Sequence, residues 1–246
     1  MRHVYINIGL PLCLYRLLRP IKRCLIGSHN EISPNLAGER DVEWSWICSQ
    51  IFSGPGEALD FGTGSSYLGL MAAQRGFNVT AIDLEPVNWL YIHPKLRFLQ
   101  EDILKVSLPS EQFDLVINCS TIEHVGLAGR YGVTENRVNG DLEVMIKLRK
   151  SMKPSGVMLL TIPIGQDAVF APLHRIYGRQ RLALLLNGYI VEKEEFWVKD
   201  RQNRWIQCDR EIAFNFQAQA GSWDPLKNAY ALGCFVLQRP KRDKEQ

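Results

Sequence analysis

The sequence predicts an α/β domain built on a doubly wound, mostly parallel sheet, and three observations predict it. Short apolar runs alternate with helix-patterned stretches from Glu39 to Leu237. A glycine-punctuated corner, Gly62-Thr63-Gly64, joins the first run to the helix that follows it. Acidic residues stand at the ends of successive runs, which is where ligands of such sheets bind.

Composition narrows the class. A chain of 246 residues, 46% hydrophobic and 22% charged, is ordinary for one sizeable globular domain. The net charge of +3 comes with no long basic run, so nucleic acid is not an expected partner. Six cysteines, Cys13, Cys24, Cys48, Cys119, Cys208 and Cys234, form no C-x-x-C pair. They read as small apolar residues of a reducing compartment, and the expected location is cytoplasmic.

Val4 to Leu18 is largely apolar and too short to span a bilayer. Arg16, Arg19, Lys22 and Arg23 lie within it or follow it, with no small-residue cleavage site of a secretory signal. Two readings stand for residues 1–24. One is an interfacial helix on an anionic membrane surface, a peripheral contact at the inner face of the membrane; the other is a helix docked on the domain or on a second copy. Residues 1–38 are thus expected to be a helical extension and linker, residues 39–240 the domain, and residues 241–246 a charged tail.

The domain opens with a helix from Glu39, with Asp41 as its cap and Val42, Trp46, Ile47 and Ile51 in one stripe. Gly54, Pro55 and Gly56 end it. Ala58 to Phe61 is the first strand, Tyr67 to Gln74 a helix, Phe77 to Asp83 the second strand and Arg97 to Gln100 the third. Phe113 to Cys119 is near-continuously apolar, as a strand covered on both faces is. Asp141 opens a helix with Leu142, Met145, Ile146 and Met152 buried, and Lys153-Pro154-Ser155-Gly156 closes it. Val157 to Ile162 is the fifth strand, Arg175 to Leu186 a helix, Ile190 to Val198 the sixth strand and Ala231 to Leu237 the last. Lys199 to Tyr230 has no clear period and reads as a lid or a decorated loop.

The corner fails the dinucleotide fingerprint, because Tyr67 stands where its third glycine belongs. What remains is Asp60, then Gly62-x-Gly64, then Asp83 at the end of the second strand. Phe113-Asp114-Leu115-Val116 leads to Glu123-His124-Val125, and a K-P-x-G turn precedes the fifth strand. These motifs, in this order, resemble the class I S-adenosylmethionine-dependent methyltransferases. The resemblance implies a Rossmann-like sheet of seven strands whose last strand inserts antiparallel, with S-adenosylmethionine as cofactor. It assigns the methionine part to Gly62 and Gly64 with Asp60 near the amino group, the ribose hydroxyls to Asp83, and the adenine to Asp102 and Ile103. It also sets Cys119 against the sulfonium end.

Glu123 and His124 are the expected catalytic pair, because a hydroxyl acceptor must lose a proton and a histidine titrates near neutrality. Arg130 and Tyr131 in a glycine-rich loop, and His174, Arg175 and Tyr177 after the fifth strand, are the expected acceptor contacts. Aromatic faces with hydrogen-bonding Arg and His suit a polyhydroxylated small molecule or glycan precursor. The R-D-V-E-W-S-W, C-S-T-I-E-H-V-G-L-A-G-R-Y-G and H-R-I-Y-G stretches are similar to a bacterial group related to a domain family of unknown function. Members of that group look like accessory enzymes of surface-glycan assembly, which implies O-methylation of a sugar.

Glu123 and Asp141 are the only nearby acids to nominate for a metal, and two acids make a weak site, so no required metal is expected. The rivals are methyl transfer to another small molecule, a non-catalytic methyltransferase-fold partner in a glycan-assembly complex, and a nicotinamide-dependent oxidoreductase. The number of copies that assemble is open.

Overall fold

A computed structural model describes residues 39–219 and 230–241. The expected extension at 1–38, its membrane contact through residues 1–24, and most of the tail at 241–246 lie outside the described residues. No helix among the described residues is long and apolar enough to cross a membrane.

Eight strands form one sheet in the order β3-β2-β1-β4-β5-β10-β8-β9. Helix α1 (Arg40–Gln50) leads into β1 (Gly56–Phe61), α2 (Leu68–Gln74), β2 (Phe77–Asp83), β3 (Leu96–Gln100) and β4 (Phe113–Cys119). Helix α3 (Gly140–Ser151) and β5 (Met152–Ile164) follow. A hairpin of β6 (Ala168–Phe170) and β7 (His174–Ile176) precedes α4 (Arg179–Leu185), β8 (Ile190–Lys199), β9 (Trp205–Cys208), α5 (Arg210–Asn215) and β10 (Ala231–Gln238). Strands β1 to β5 pair in parallel, and β10 is antiparallel to both β5 and β8. The fold expectation therefore holds, including the inverted last strand.

The two-residue period of the central strands divides the core into two layers. Leu115, Ile117, Leu159, Leu232 and Cys234 face α1 and α2, where they meet Trp44, Ile47, Leu68 and Ala72. Val116, Met158, Leu160, Phe235 and Leu237 face the other way, onto Met145, Leu148, Leu182 and Phe214 of α3, α4 and α5. Both faces are covered, which is why β4 carries no polar alternation.

Several boundaries differ from expectation. The sheet has an eighth strand, β9, antiparallel to β8 within the stretch that showed no period. As an edge strand it is held mainly by main-chain bonds, so its side chains need not alternate cleanly. Asp41 makes no cap bond; Glu39 is the cap residue of α1. The K-P-x-G turn is an irregularity at the start of β5, with Ser155 at φ 65°. Ile146 is exposed, and Val144, Met145 and Leu148 form the buried stripe of α3. Arg175 lies in β7 rather than in a helix, which begins only at Arg179.

Candidate active site

The corner after β1 depends on two glycines for different reasons. Gly62 has φ +70°, and a Cβ there would stand 2.1 Å from Cγ2 of Thr121. The close approach of the loop after β4 therefore requires it. Gly64 has φ +46° and nothing within 4 Å of the same position, so it faces open space beyond the strand ends. Main-chain N–H groups of Gly62 and Thr63 donate to the Ile82 carbonyl at 2.8 and 3.3 Å, which ties the corner to β2.

Asp60 sits beneath that corner and is fully buried. Its Oδ2 accepts the Thr63 hydroxyl at 2.7 Å, and burial raises its carboxyl to about 6. Asp83 ends β2 with its Oδ2 accepting the Gly64 N–H at 2.8 Å and its Oδ1 accepting the Glu85 N–H at 3.0 Å. A carboxylate has about four acceptor positions, so each oxygen keeps one toward solvent. Trp89 and Tyr91 were not singled out from the sequence. They stack at 5.3 Å; Trp89 Nε1 donates to the Gly64 carbonyl at 3.2 Å and the Tyr91 hydroxyl to that of Ser66 at 2.6 Å. The only local signal was an aromatic pair two apart in a turn-rich stretch. Asp102 caps its own turn, Oδ1 accepting the Leu104 N–H at 2.9 Å, while the Ile103 side chain packs into the main core.

Across the strand ends, α1 contributes a buried polar network. Glu43 is fully buried; its Oε2 accepts the Ser120 hydroxyl at 2.6 Å and the Thr161 hydroxyl at 3.1 Å, and its Oε1 pairs with Arg40. Arg40 also pairs with Glu39, which accepts the Tyr230 hydroxyl at 2.5 Å. Cys119 is partly buried at the end of β4, and burial, with the Glu43 charge, pushes its thiol well up. The R-D-V-E-W-S-W stretch thus acts through Arg40 and Glu43, residues spaced to share one helix face.

A short 3-10 turn, Ile122–His124, carries the expected catalytic pair. His124 Nδ1 lies 2.5 Å from the Leu173 carbonyl, which can only accept, so the proton is on Nδ1 and Nε2 bears the lone pair. Burial, then the charge of Arg130, lowers His124 to about 3, so the ring is neutral at physiological pH. Glu123 is 2% exposed, and burial raises its carboxyl well above the usual range. Its Oε1 lies 3.8 Å from His124 Nε2, and its Oε2 has no partner among the described residues. His174 is also buried, lowered to about 4 by burial and then by Arg130, with Nε2 unpartnered. Its ring lies 6.3 Å from that of His124 and 5.4 Å from that of Tyr230, and His124 meets the Tyr131 ring at 5.8 Å.

Two expected acceptor contacts are structural instead. Arg175 is 1% exposed and donates to the carbonyls of Glu123, Val125, Arg137 and Val138, so it clasps the loop that carries the expected catalytic pair. Tyr177 is fully buried and its hydroxyl donates to Asp141 at 3.1 Å. Both sites are closed because Asp141, itself buried, draws Arg175, Tyr177 and Arg181 into one network. Asp141 is therefore already engaged, and among the described residues no group of three or more His, Cys, Asp or Glu could hold a metal ion.

Residues 58–136 match the family described as "Methyltransferase domain". The fold is similar to that of a Burkholderia thailandensis 1,6-didemethyltoxoflavin-N1-methyltransferase solved with 1,6-didemethyltoxoflavin and S-adenosylhomocysteine. The TM-score is 0.52 and the identity 14%, over 97% of this chain and 94% of that one. It is also similar to a S-adenosylmethionine-dependent methyltransferase of Methanosarcina mazei, with TM-score 0.52 and 14% identity over 80% and 98% of the two chains. A structure described as the [4+2]-cyclase SpnF shares the fold at TM-score 0.54 and 13% identity, over 93% and 94% of the chains. No curated protein matches the chain.

Residues 58–136 are thus a methyltransferase domain by match, set in a fold shared with methyltransferases. More particularly, residues 99–205 match the family described as "Caenorhabditis protein of unknown function, DUF268". That match runs from the end of β3 to the start of β9 and takes in Glu123, His124, Arg130 and the β6–β7 hairpin.

Proposed function

We propose that this methyltransferase acts on a hydroxyl of a sugar or glycan precursor. The observation that carries the reading is the pair at the end of β4: a His124 whose Nδ1–H is tied to Leu173, leaving Nε2 as an acceptor, beside the buried Glu123 carboxyl, which burial raises and whose Oε2 has no partner among the described residues.

The residues of the corner fit the cofactor. Gly64 leaves open the space that a Cβ would fill, and Asp83 keeps an acceptor position on each oxygen for a vicinal diol. Gly62 and Gly64 would hold the methionine part, Asp83 the ribose, and Asp102 the adenine edge. S-adenosylmethionine supplies an electrophilic methyl on a sulfonium. Most of the protein's task is then to align the acceptor oxygen with that methyl. A methylated hydroxyl would have to give up a proton that is by then strongly acidic, and Nε2 of His124, even lowered to about 3, would take it. Proton transfer of this kind contributes roughly 10²–10⁴-fold. The Leu173 carbonyl stabilises the imidazolium that results, and Glu123 donates to an acceptor hydroxyl. Tyr131, His174 and Tyr230 offer ring faces to the apolar side of a sugar.

The test begins with calorimetric titration of S-adenosylhomocysteine against NAD⁺ as control. Nucleotide sugars and lipid-linked glycans are then screened with labelled cofactor, and the product is analysed by mass spectrometry. The expected result is binding of S-adenosylhomocysteine that falls about 10–100-fold in Asp83→Ala, as loss of charge-assisted hydrogen bonds does, followed by an O-methylated sugar. Binding of NAD⁺ alone, or methyl transfer only to nitrogen acceptors, would overturn the reading.

A further inference from the structure

Arg130 stands apart from the other arginines of this end of the sheet. Arg40 is paired with Glu39 and Glu43, Arg181 with Asp141, and Arg175 with four carbonyls and Asp141. Arg130 makes one long contact, Nη1 to the Leu173 carbonyl at 3.5 Å, and its guanidinium lies 4.4 Å from the centroid of the Tyr131 ring. Among the described residues no carboxylate forms an ion pair with it. A guanidinium presents a planar fork of donors suited to an oxyanion, and here most of that fork meets no acceptor among the described residues.

The surroundings leave that charge uncompensated. Burial disfavours ionisation of Glu123, and His124 and His174, lowered to about 3 and about 4, are neutral. The charge of Arg40, on α1, is met by Glu39 and Glu43, and Glu85 acts on Tyr131 without forming an ion pair with Arg130. Two buried polar atoms, Glu123 Oε2 and His174 Nε2, also lack partners among the described residues. An unpaired cation bordered by unsatisfied buried polar groups is the arrangement of a polar ligand subsite with a negative charge to receive.

We propose that Arg130 is an anion clamp. An oxyanion, carboxylate or phosphate, sits on its guanidinium beside Tyr131, while Glu123 and His174 meet neighbouring hydroxyls of the same molecule. Calling that molecule the methyl acceptor rests on the proposed function; the anion subsite itself does not. The methyltransferase would then act on acidic sugars rather than neutral ones. Occupancy of Arg130 also relieves the positive charge that opposes protonation of His124, so a bound acceptor makes its own base stronger. Lysine would not substitute, because the planar fork and its stacking on Tyr131 are both used.

The test follows the imidazole resonances of His124 and His174 by NMR in the full chain. Inorganic phosphate and acetate are titrated in separate arms at constant ionic strength, with and without S-adenosylhomocysteine. Saturable shifts of both rings that vanish in Arg130→Gln are expected, with both imidazole pKa values higher at saturation. The amide spectrum verifies the fold of the variant. A response to phosphate alone indicates a phosphorylated acceptor, and one to acetate alone a carboxylated acceptor. Absence of a saturable shift with either anion, or equal shifts in Arg130→Gln, would overturn the clamp. Binding of S-adenosylhomocysteine in the same samples reports separately on the cofactor reading, so the two failures are distinguishable.

Discussion

Glu43 of α1 accepts a 2.6 Å hydrogen bond from Ser120, a residue 77 positions away at the end of β4. Ser120 has φ 42°, a left-handed conformation that costs a non-glycine residue about 1–2 kcal/mol. The bond holds it there and sets the direction in which Glu123 and His124 leave the strand. Glu43→Ala would free Ser120 and leave the half-buried Arg40 with Glu39 alone. A loss of about 3–5 kcal/mol in chemical denaturation is expected, with a smaller loss for Glu43→Gln, which keeps a side chain able to accept from Ser120 and Thr161. Equal midpoints for wild type and Glu43→Ala would rule out the latch.

The two corner glycines should fail in different ways. Gly62→Ala drives a methyl into Thr121 and should destabilise by about 1–3 kcal/mol, as overpacking does, beyond the backbone cost of its φ of +70°, with partial recovery in the Gly62→Ala/Thr121→Gly double variant. Gly64→Ala meets nothing in the protein, so it should cost only the backbone term of about 1–2 kcal/mol. Its effect should instead fall on S-adenosylhomocysteine affinity, read by calorimetry. An affinity unchanged by Gly64→Ala would show that the open face is not the cofactor's.

The buried titratable groups set opposite pH dependences. His174 falls from 6.5 to about 4 on folding, so the unfolded chain binds more protons between those values. The stability its neutral ring contributes is present above pH 6.5 and is lost as pH falls through about 4. Asp60 rises from 3.8 to about 6, so its contribution is present below pH 3.8 and is lost as pH rises through about 6. His174→Gln should therefore flatten the acid-side decline in denaturation midpoint, and Asp60→Asn should raise the midpoint above pH 6 relative to wild type. Profiles parallel to wild type in both variants would contradict these environments.

Arg175 supports the site from behind. Arg175→Met removes donors from four main-chain carbonyls and a cation from beside Asp141. Expected losses are about 3–5 kcal/mol in stability, as for a broken buried ion pair, and faster hydrogen exchange of the amides at 123–138. Exchange that speeds up evenly over the whole chain would mean that Arg175 supports the fold in general rather than this loop.

Much of the site was legible because its signals are local. The glycine corner, Asp83 at a strand end and Glu123-His124 after an apolar strand each follow from turn chemistry and from a side-chain period of a few residues. Trp89 and Tyr91 carried no comparable signal. Their roles come from two hydrogen bonds to main-chain carbonyls 25 residues away in sequence.

The sequence by itself determined the alternation of strands and helices, the doubly covered centre of the sheet and the corner at its open end, since hydrophobic period and glycine placement act over short spans. Tertiary structure decided which polar residues are satisfied within the protein. Arg130 and Arg175 are the same residue type in similar glycine-bordered stretches. Arg175 is enclosed by the carbonyls of 123–138 and by Asp141, while Arg130 makes one long contact, to the Leu173 carbonyl, and no ion pair among the described residues. Which of the two is satisfied depends on partners brought together only by the closed fold, because burying a charge requires its hydrogen bonds to be met within the protein.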